Sequence, residues 1–256
     1  MPRIVVDPRN VHDGAITVTD PAVLHHVLDV LRVRAGSALD CMDGTGTWYA
    51  ARVVHCSRRG LELHILNQGR EPGPALAIRL VQALIKPERF DWLVQKATEL
   101  GVERISPVMA ARSIIRLRGD RTSGRMARWR RIAAEAAQQC GRATAPHIDP
   151  PAAFGEVLAS LDARMGSDPT QVVPPSLVLL PTLAVSGRSV RQAIGELGGA
   201  ISAAVLIGPE GDFTTEEVAL AQRHGAVPVS LGRRTLRSET AAIAVLAVLQ
   251  HAAGEL

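Results

Sequence analysis

Apolar and polar positions alternate in short runs along the first seventy residues, at 4–6, 15–18, 38–42, 48–55 and 61–66. That period marks strands buried on one face. One helical stripe interrupts them: Asp20 stands as an N-cap, Pro21 takes the first helical position, and Val23, Leu24, Val27, Leu28 and Leu31 recur at helical spacing. Asp43-Gly44-Thr45-Gly46 suits a hairpin turn. Several short strands and one helix predict a small β-barrel domain over 1–72. Residues 68–74, QGREPGP, read as the linker because they break both helix and strand.

Beyond the linker the period switches repeatedly between strand and helix, the mark of an α/β domain with a parallel sheet, over 73–256. A strand at 77–84 precedes a helix at 87–100 that carries Phe90, Leu93, Val94, Ala97 and Leu100 on one side and stops at Gly101. Strands follow at 105–108, 177–180, 203–207 and 227–231, with helices at 154–161, from Ser189 to Leu197, and from Thr214, where Glu217 completes a capping box, to Gly225. The last helix runs from Glu239 to Ala253 and is apolar nearly all round, so a second face must be covered by something. Residues 165–175, MGSDPTQVVPP, read as an exposed insertion.

Two glycine-bearing loops each follow a strand: Gly208-Pro209-Glu210-Gly211, and Gly232 to Ser238. Such loops let backbone approach a ligand where side chains would collide. The segments LIGPEGDF and SLGRRTLRSETAAI resemble the signature of the RsmE family of SPOUT-class methyltransferases, and the resemblance covers nearly the whole chain. It implies a PUA-like RNA-binding barrel followed by a SPOUT domain whose C-terminal trefoil knot holds S-adenosylmethionine (SAM). It further implies methylation of a uridine base at N3 in small-subunit (16S) ribosomal RNA, by a homodimer. Carried onto this chain, the cofactor contacts are Leu180, Pro181 and Thr182 in a first loop, Ile207, Gly208, Pro209, Glu210 and Gly211 in a second, and Leu231, Gly232, Leu236, Ser238, Thr240 and Ala241 in a third. A valine at Gly208 or Gly211 is expected to fill space the ligand needs. Asp212 departs from relatives, which often have glycine there, and Leu180 stands where relatives often carry histidine.

Charge sharpens the RNA reading. The chain carries a net charge of +4 with a pI near 9.5, and its only lysines are Lys86 and Lys96. Residues 112–142 hold nine arginines against Asp120 and Glu135, a net of +7 that exceeds the whole chain's +4. This concentration favours a phosphate-binding surface. Arg112, Arg116, Arg125, Arg128, Gln139 and Arg142 are its candidate contacts; Gln139 and Arg142 follow from the match of QQCGR to the family. Trp129 is the only aromatic in the segment, so base stacking there is not the main expectation. Residues 1–73 balance eight arginines with eight carboxylates, so the barrel by itself is expected to add modest affinity.

The ring nitrogen of uracil is a poor nucleophile until its proton leaves, and the resulting charge spreads onto the flanking carbonyl oxygens. Arg237 and Glu239, with Arg142, are the catalytic candidates. Glu239 sits where the first turn of a helix would hold its carboxylate, which suits orientation better than direct proton removal. Two other readings stay open: a SPOUT methyltransferase for another RNA atom, such as a transfer-RNA ribose hydroxyl, and a non-catalytic RNA-binding module. A dinucleotide-binding fold is disfavoured because no GxGxxG follows a strand. Three cysteines without CxxC spacing point away from a disulfide framework or zinc site, so no metal is expected. The N-terminus lacks a signal-peptide core and the longest apolar run, 241–249, is too short to span a bilayer, so a soluble cytoplasmic protein is expected.

Overall fold

The computed structural model describes residues 2–116, 120–162, 176–183, 188–195 and 202–256. The insertion read at 165–175 and the end of the helix read from Ser189 to Leu197 lie outside the described residues. The chain forms two compact units: Met1–Pro72 with Ala137–Ala145, and Gly73–Ala136 with Pro146–Leu256.

The first unit is built on six strands, β1 (Arg3–Val5), β2 (Val11–His12), β3 (Ala15–Val18), β4 (Ala38–Met42), β5 (Thr47–Ser57) and β6 (Gly60–Arg70), ordered β1-β4-β5-β6-β3-β2. Only the β1–β4 pairing is parallel. Alternate residues, among them Ile4, Ile16, Leu39, Leu61 and Leu63, fill its core. The helix α1 (Pro21–His25) starts where Asp20 accepts the N–H groups of Ala22 and Val23, at 2.8 and 3.1 Å. One boundary differs from the sequence reading. Gln68, Gly69 and Arg70, assigned to the linker, continue β6, because Tyr49, Trp48 and Thr47 of the long partner strand pair with them. Pairing along a ladder outweighs the weak strand propensity of a Gln-Gly-Arg segment.

The described residues of the second unit form eight parallel strands: β7 (Ala77–Ala83), β8 (Arg104–Met109), β9 (His147–Ile148), β10 (Ala152–Ala153), β11 (Leu177–Pro181), β12 (Arg188–Ser189), β13 (Ser202–Ile207) and β14 (Ala226–Ser230). Their order is β10-β8-β7-β13-β11-β14-β12, with β9 also on β8. Successive strand residues face opposite sides, so two clusters form. On one side Leu80, Val205 and Leu179 pack with α2 (Pro87–Glu99), α3 (Asp120–Cys140) and α7 (Ser238–Ala253). On the other, Val81, Leu206 and Leu180 pack with α4 (Phe154–Asp162) and α6 (Thr215–Arg223), where Phe154 and Phe213 stack at 4.5 Å. A further helix, α5 (Val190–Gly195), follows β12. Within this unit α7 buries the stripe Ala242, Val245, Leu246, Leu249 and Gln250 and leaves Val248 exposed. No helix among the described residues is long and apolar enough to cross a membrane.

A polar network ties the starts of β7 and β8 to the segment after β9. Asp149 accepts from Arg104 Nε and Nη2 at 2.9 and 2.7 Å, from Ser106 Oγ at 2.6 Å and from Arg79 Nη2 at 3.4 Å. Burial works to raise the carboxyl, but the hydrogen bonds from Arg104 and Ser106 and the charges of Arg104 and Arg79 outweigh it and lower its pKa. Asp149→Asn keeps one acceptor oxygen and loses the charge, so it should destabilise the second unit by about 2 kcal/mol. A group with a depressed folded pKa gives its full stability above the unfolded value, about 3.9 for Asp, and loses it as pH falls through the folded value. The difference between wild type and variant in urea unfolding should therefore be present at neutral pH and narrow below about pH 4. Equal stabilities at neutral pH would contradict this.

Candidate active site

Three adjacent parallel strands, β13, β11 and β14, end side by side, and the loops leaving their carboxyl ends enclose a cleft of about 260 Å³. This is the usual place for a ligand in a parallel sheet. The loop after β11 contributes Pro181, Thr182 and Leu183; the loop after β13, Pro209, Glu210 and Asp212. The loop after β14 contributes Leu231, Gly232, Arg234, Thr235, Leu236, Arg237 and Ser238.

Asp212 organises two of these loops. It adopts φ +58°, a left-handed conformation that Asp tolerates better than most side chains. Its Oδ2 accepts from Thr182 Oγ1 and Leu183 N–H, both at 2.8 Å, while Oδ1 accepts from Phe213 N–H at 2.8 Å. A residue that the sequence marks as an exception is thus the tie between the first and second loops. A second tie joins the third loop to the second: Ser238 Oγ donates to the Gly208 carbonyl at 2.6 Å and accepts from Gln82 Nε2 at 2.8 Å. Gln82, the residue before the last of β7, lies beside Ile207 and is fully buried. The sequence reading passed over Gln82, although a polar residue in the run LVQAL of a sheet covered on both faces is a visible signal.

Gly208 and Gly211 both have close neighbours within the protein. An added Cβ at Gly208 would lie 3.0 Å from Asp212 Oδ1 and Phe213 N, so glycine there permits the loop's own packing. At Gly211 the Cβ would rest 3.4 Å from Arg112 Cδ, and neither glycine lines the cleft. Gly232 does line it, at φ +104°, with nothing among the described residues within 4 Å of its missing Cβ. Leu180 and Ile207 are buried in the sheet and act as anchors for the loops. Thr240 is exposed on α7 and Ala241 half-buried beside it, and neither lines the cleft.

Of the catalytic candidates, Arg237 stands in the cleft wall at the N-cap of α7 and uses no side-chain bond to cap the helix. Glu239 is buried; its Oε1 lies 3.7 Å from Arg89 Nε, and its Oε2 has no hydrogen-bond partner among the described residues. Arg89 Nη1 also lies 3.8 Å from Glu210 Oε1, so this arginine of α2, unmarked by the sequence reading, bridges the cleft wall and Glu239. Arg142 and Gln139 belong to the first unit, the former half-buried and the latter exposed.

The other arginines divide by partner. Arg112 Nη1 donates to the Gly211 carbonyl at 2.8 Å, and the neighbouring Ala111 N–H donates to Glu217 Oε1 at 2.7 Å, so this loop braces the second cleft loop. Arg128 is paired with Asp91 of α2 at 2.7 Å, whereas Arg116 is exposed and Arg125 half-buried. Trp129 is 2% exposed and packs on Phe90, centroids 4.4 Å apart, as part of the core. Among the described residues no group of three or more His, Cys, Asp or Glu is placed to hold a metal ion.

Comparison with known proteins agrees with this architecture. The RNA methyltransferase domain family matches residues 72–250 and the RNA methyltransferase PUA domain family residues 18–66. Ribosomal RNA small subunit methyltransferase E of Mycobacterium bovis is 31% identical over 91% of this chain and 85% of its own length. The protein of that name from Neisseria gonorrhoeae, solved bound to S-adenosyl methionine, is 30% identical with a TM-score of 0.78, covering 98% of this chain and 97% of that one. A Legionella pneumophila protein solved in complex with the cofactor SAM is likewise 30% identical, with a TM-score of 0.79 over 98% and 97% of the two chains. The chain belongs to the RNA methyltransferase family, within the group of ribosomal RNA small subunit methyltransferases E.

Proposed function

We propose that this enzyme transfers the methyl group of SAM to N3 of a uridine in small-subunit ribosomal RNA. The observation that carries the reading is the cleft at the carboxyl ends of β13, β11 and β14, with Arg237 in its wall. The residues present fit SAM: apolar Pro181, Pro209, Leu231 and Leu236 suit an adenine ring, and the bare backbone of Gly232 permits close approach. Two relatives of this fold were solved with SAM bound. When bound, SAM supplies an activated methyl group, and the chain must supply position and electrostatics. Arg237 would meet the negative charge that develops on the uracil carbonyl oxygens. Glu239, held toward Arg89, orients the start of α7. We read the threading of the three loops as the trefoil knot of the SPOUT class, and the setting as the cytoplasm.

Arg112, Arg116, Arg125, Arg128, Gln139 and Arg142 are the proposed RNA contacts, with Arg112 also holding the cofactor loop. Because Arg128 already has a carboxylate partner, neutralising Arg116 and Arg125 should flatten the salt dependence of RNA binding more than neutralising Arg128. Filter binding across salt concentrations reads this directly, and equal slopes for wild type and an Arg116/Arg125 double variant would refute it. The half-open face of α7, with Ala241, Ala244, Ala247 and Val248, is the proposed homodimer contact, since small side chains let two helices approach closely. Light scattering that finds a fully active monomer would end that part.

The function as a whole is tested in cells lacking the gene. One methylated uridine should vanish from small-subunit ribosomal RNA and return with the intact gene but not with Arg237→Ala. An unchanged modification pattern would refute the reading.

A further inference from the structure

The first unit contains its own concavity, about 250 Å³, formed among Arg3, Asp40, Trp48, Glu71 and Gly141. Trp48 lies opposite Gly69 in the β5–β6 ladder, and a Cβ at Gly69 would come within 2.7 Å of its Cζ2. The indole is therefore braced on one side by bare backbone, yet it remains 37% exposed. Arg3 is placed by a second glycine: Gly141, at φ +88°, leaves room for the guanidinium that a Cβ would overlap. Arg3 Nε lies 3.8 Å from Asp40 Oδ2, and Glu71 Oε2 accepts the Ala143 N–H at 2.8 Å.

One cation against two carboxylates is a poor seat for a phosphate. It is a good seat for a neutral planar ring whose edge carries both donors and acceptors, with the indole as a stacking surface. We propose that this concavity binds one unpaired nucleobase of RNA, stacked on Trp48 with its edge toward Arg3 and Asp40. The inference rests on the reading that RNA is the substrate, and it gives the first unit a recognition role that its balanced charge does not supply. Bases in a duplex are already stacked and cannot enter; bases in a single strand can.

The test compares Trp48→Leu, which keeps apolar cover over Gly69, with Trp48→Phe, which keeps an aromatic face. The probes are a short labelled single-stranded RNA and its duplex, titrated at several salt concentrations, with SAM affinity measured alongside as a check on the second unit. Trp48→Leu should weaken single-strand binding about tenfold with an unchanged salt slope, since stacking releases no counterions. Trp48→Phe should stay within about threefold of wild type, and duplex binding should not move. Equal loss for both RNAs, a changed salt slope, or no loss would overturn the proposal. In the wild-type protein, a single strand carrying 4-thiouridine should cross-link to the peptide bearing Trp48. Cross-links only elsewhere would overturn it even if the leucine variant failed to fold. A wild type that bound neither RNA would instead defeat the ribosomal RNA reading itself.

Discussion

Arg237→Ala should lower turnover about 10²–10³-fold, the usual cost of removing one donor aimed at developing negative charge. SAM affinity should change little. Arg237 lines the cleft and serves no capping bond at α7, so its removal leaves the helix start intact. The side chain is exposed at the cleft. Arg237→Lys keeps the charge but not the planar fork, and should recover only part of the rate. Single-turnover kinetics with saturating SAM separates this from binding. A rate within threefold of wild type would remove Arg237 from the chemistry.

Asp212→Ala should weaken SAM binding about 100-fold. The carboxylate makes two charge-assisted bonds to the first loop, through Thr182 and Leu183, each contributing about 1.5–3 kcal/mol. Without them the first loop must be ordered by the ligand, and that cost comes out of affinity at about 1.4 kcal/mol per tenfold. Alanine is also strained at φ +58°, so Asp212→Gly separates the two causes. If the tie matters, glycine and alanine variants lose similar affinity in calorimetry. A glycine variant that binds SAM as tightly as wild type would leave only backbone strain, and the tie would carry no weight.

Local signals in the sequence proved readable and remote ones did not. The Thr214–Glu217 capping box forms as its spacing implies, with Glu217 Oε2 accepting the Thr214 N–H and Thr214 Oγ1 accepting the Glu217 N–H. Nothing in that spacing shows that Glu217 Oε1 also holds Ala111, more than a hundred residues away. The parallel sheet follows from alternating periods, yet Gln82, Arg89 and Asp149 gain their meaning from neighbours supplied by other elements. The two glycine-bearing loops stand out in the sequence and both contribute to the cleft wall, while the crowding at Gly208 comes from the packing of its own loop. Arg128 reads as one more free cation until Asp91 of another helix is placed beside it. Residues 137–140 are the last turn of a helix whose earlier turns belong to the second unit, and only the folded chain groups 137–145 with the first.

The central claim, that this cleft directs a methyl group to a uridine ring nitrogen, is tested most directly by incubating the purified protein with SAM carrying a labelled methyl group and small-subunit ribosomal RNA, then digesting the RNA to nucleosides for mass spectrometry. The label is expected in N3-methyluridine alone, and none with Arg237→Ala. Label in a ribose 2′-O-methyl nucleoside, or SAM bound without any transfer, would contradict it.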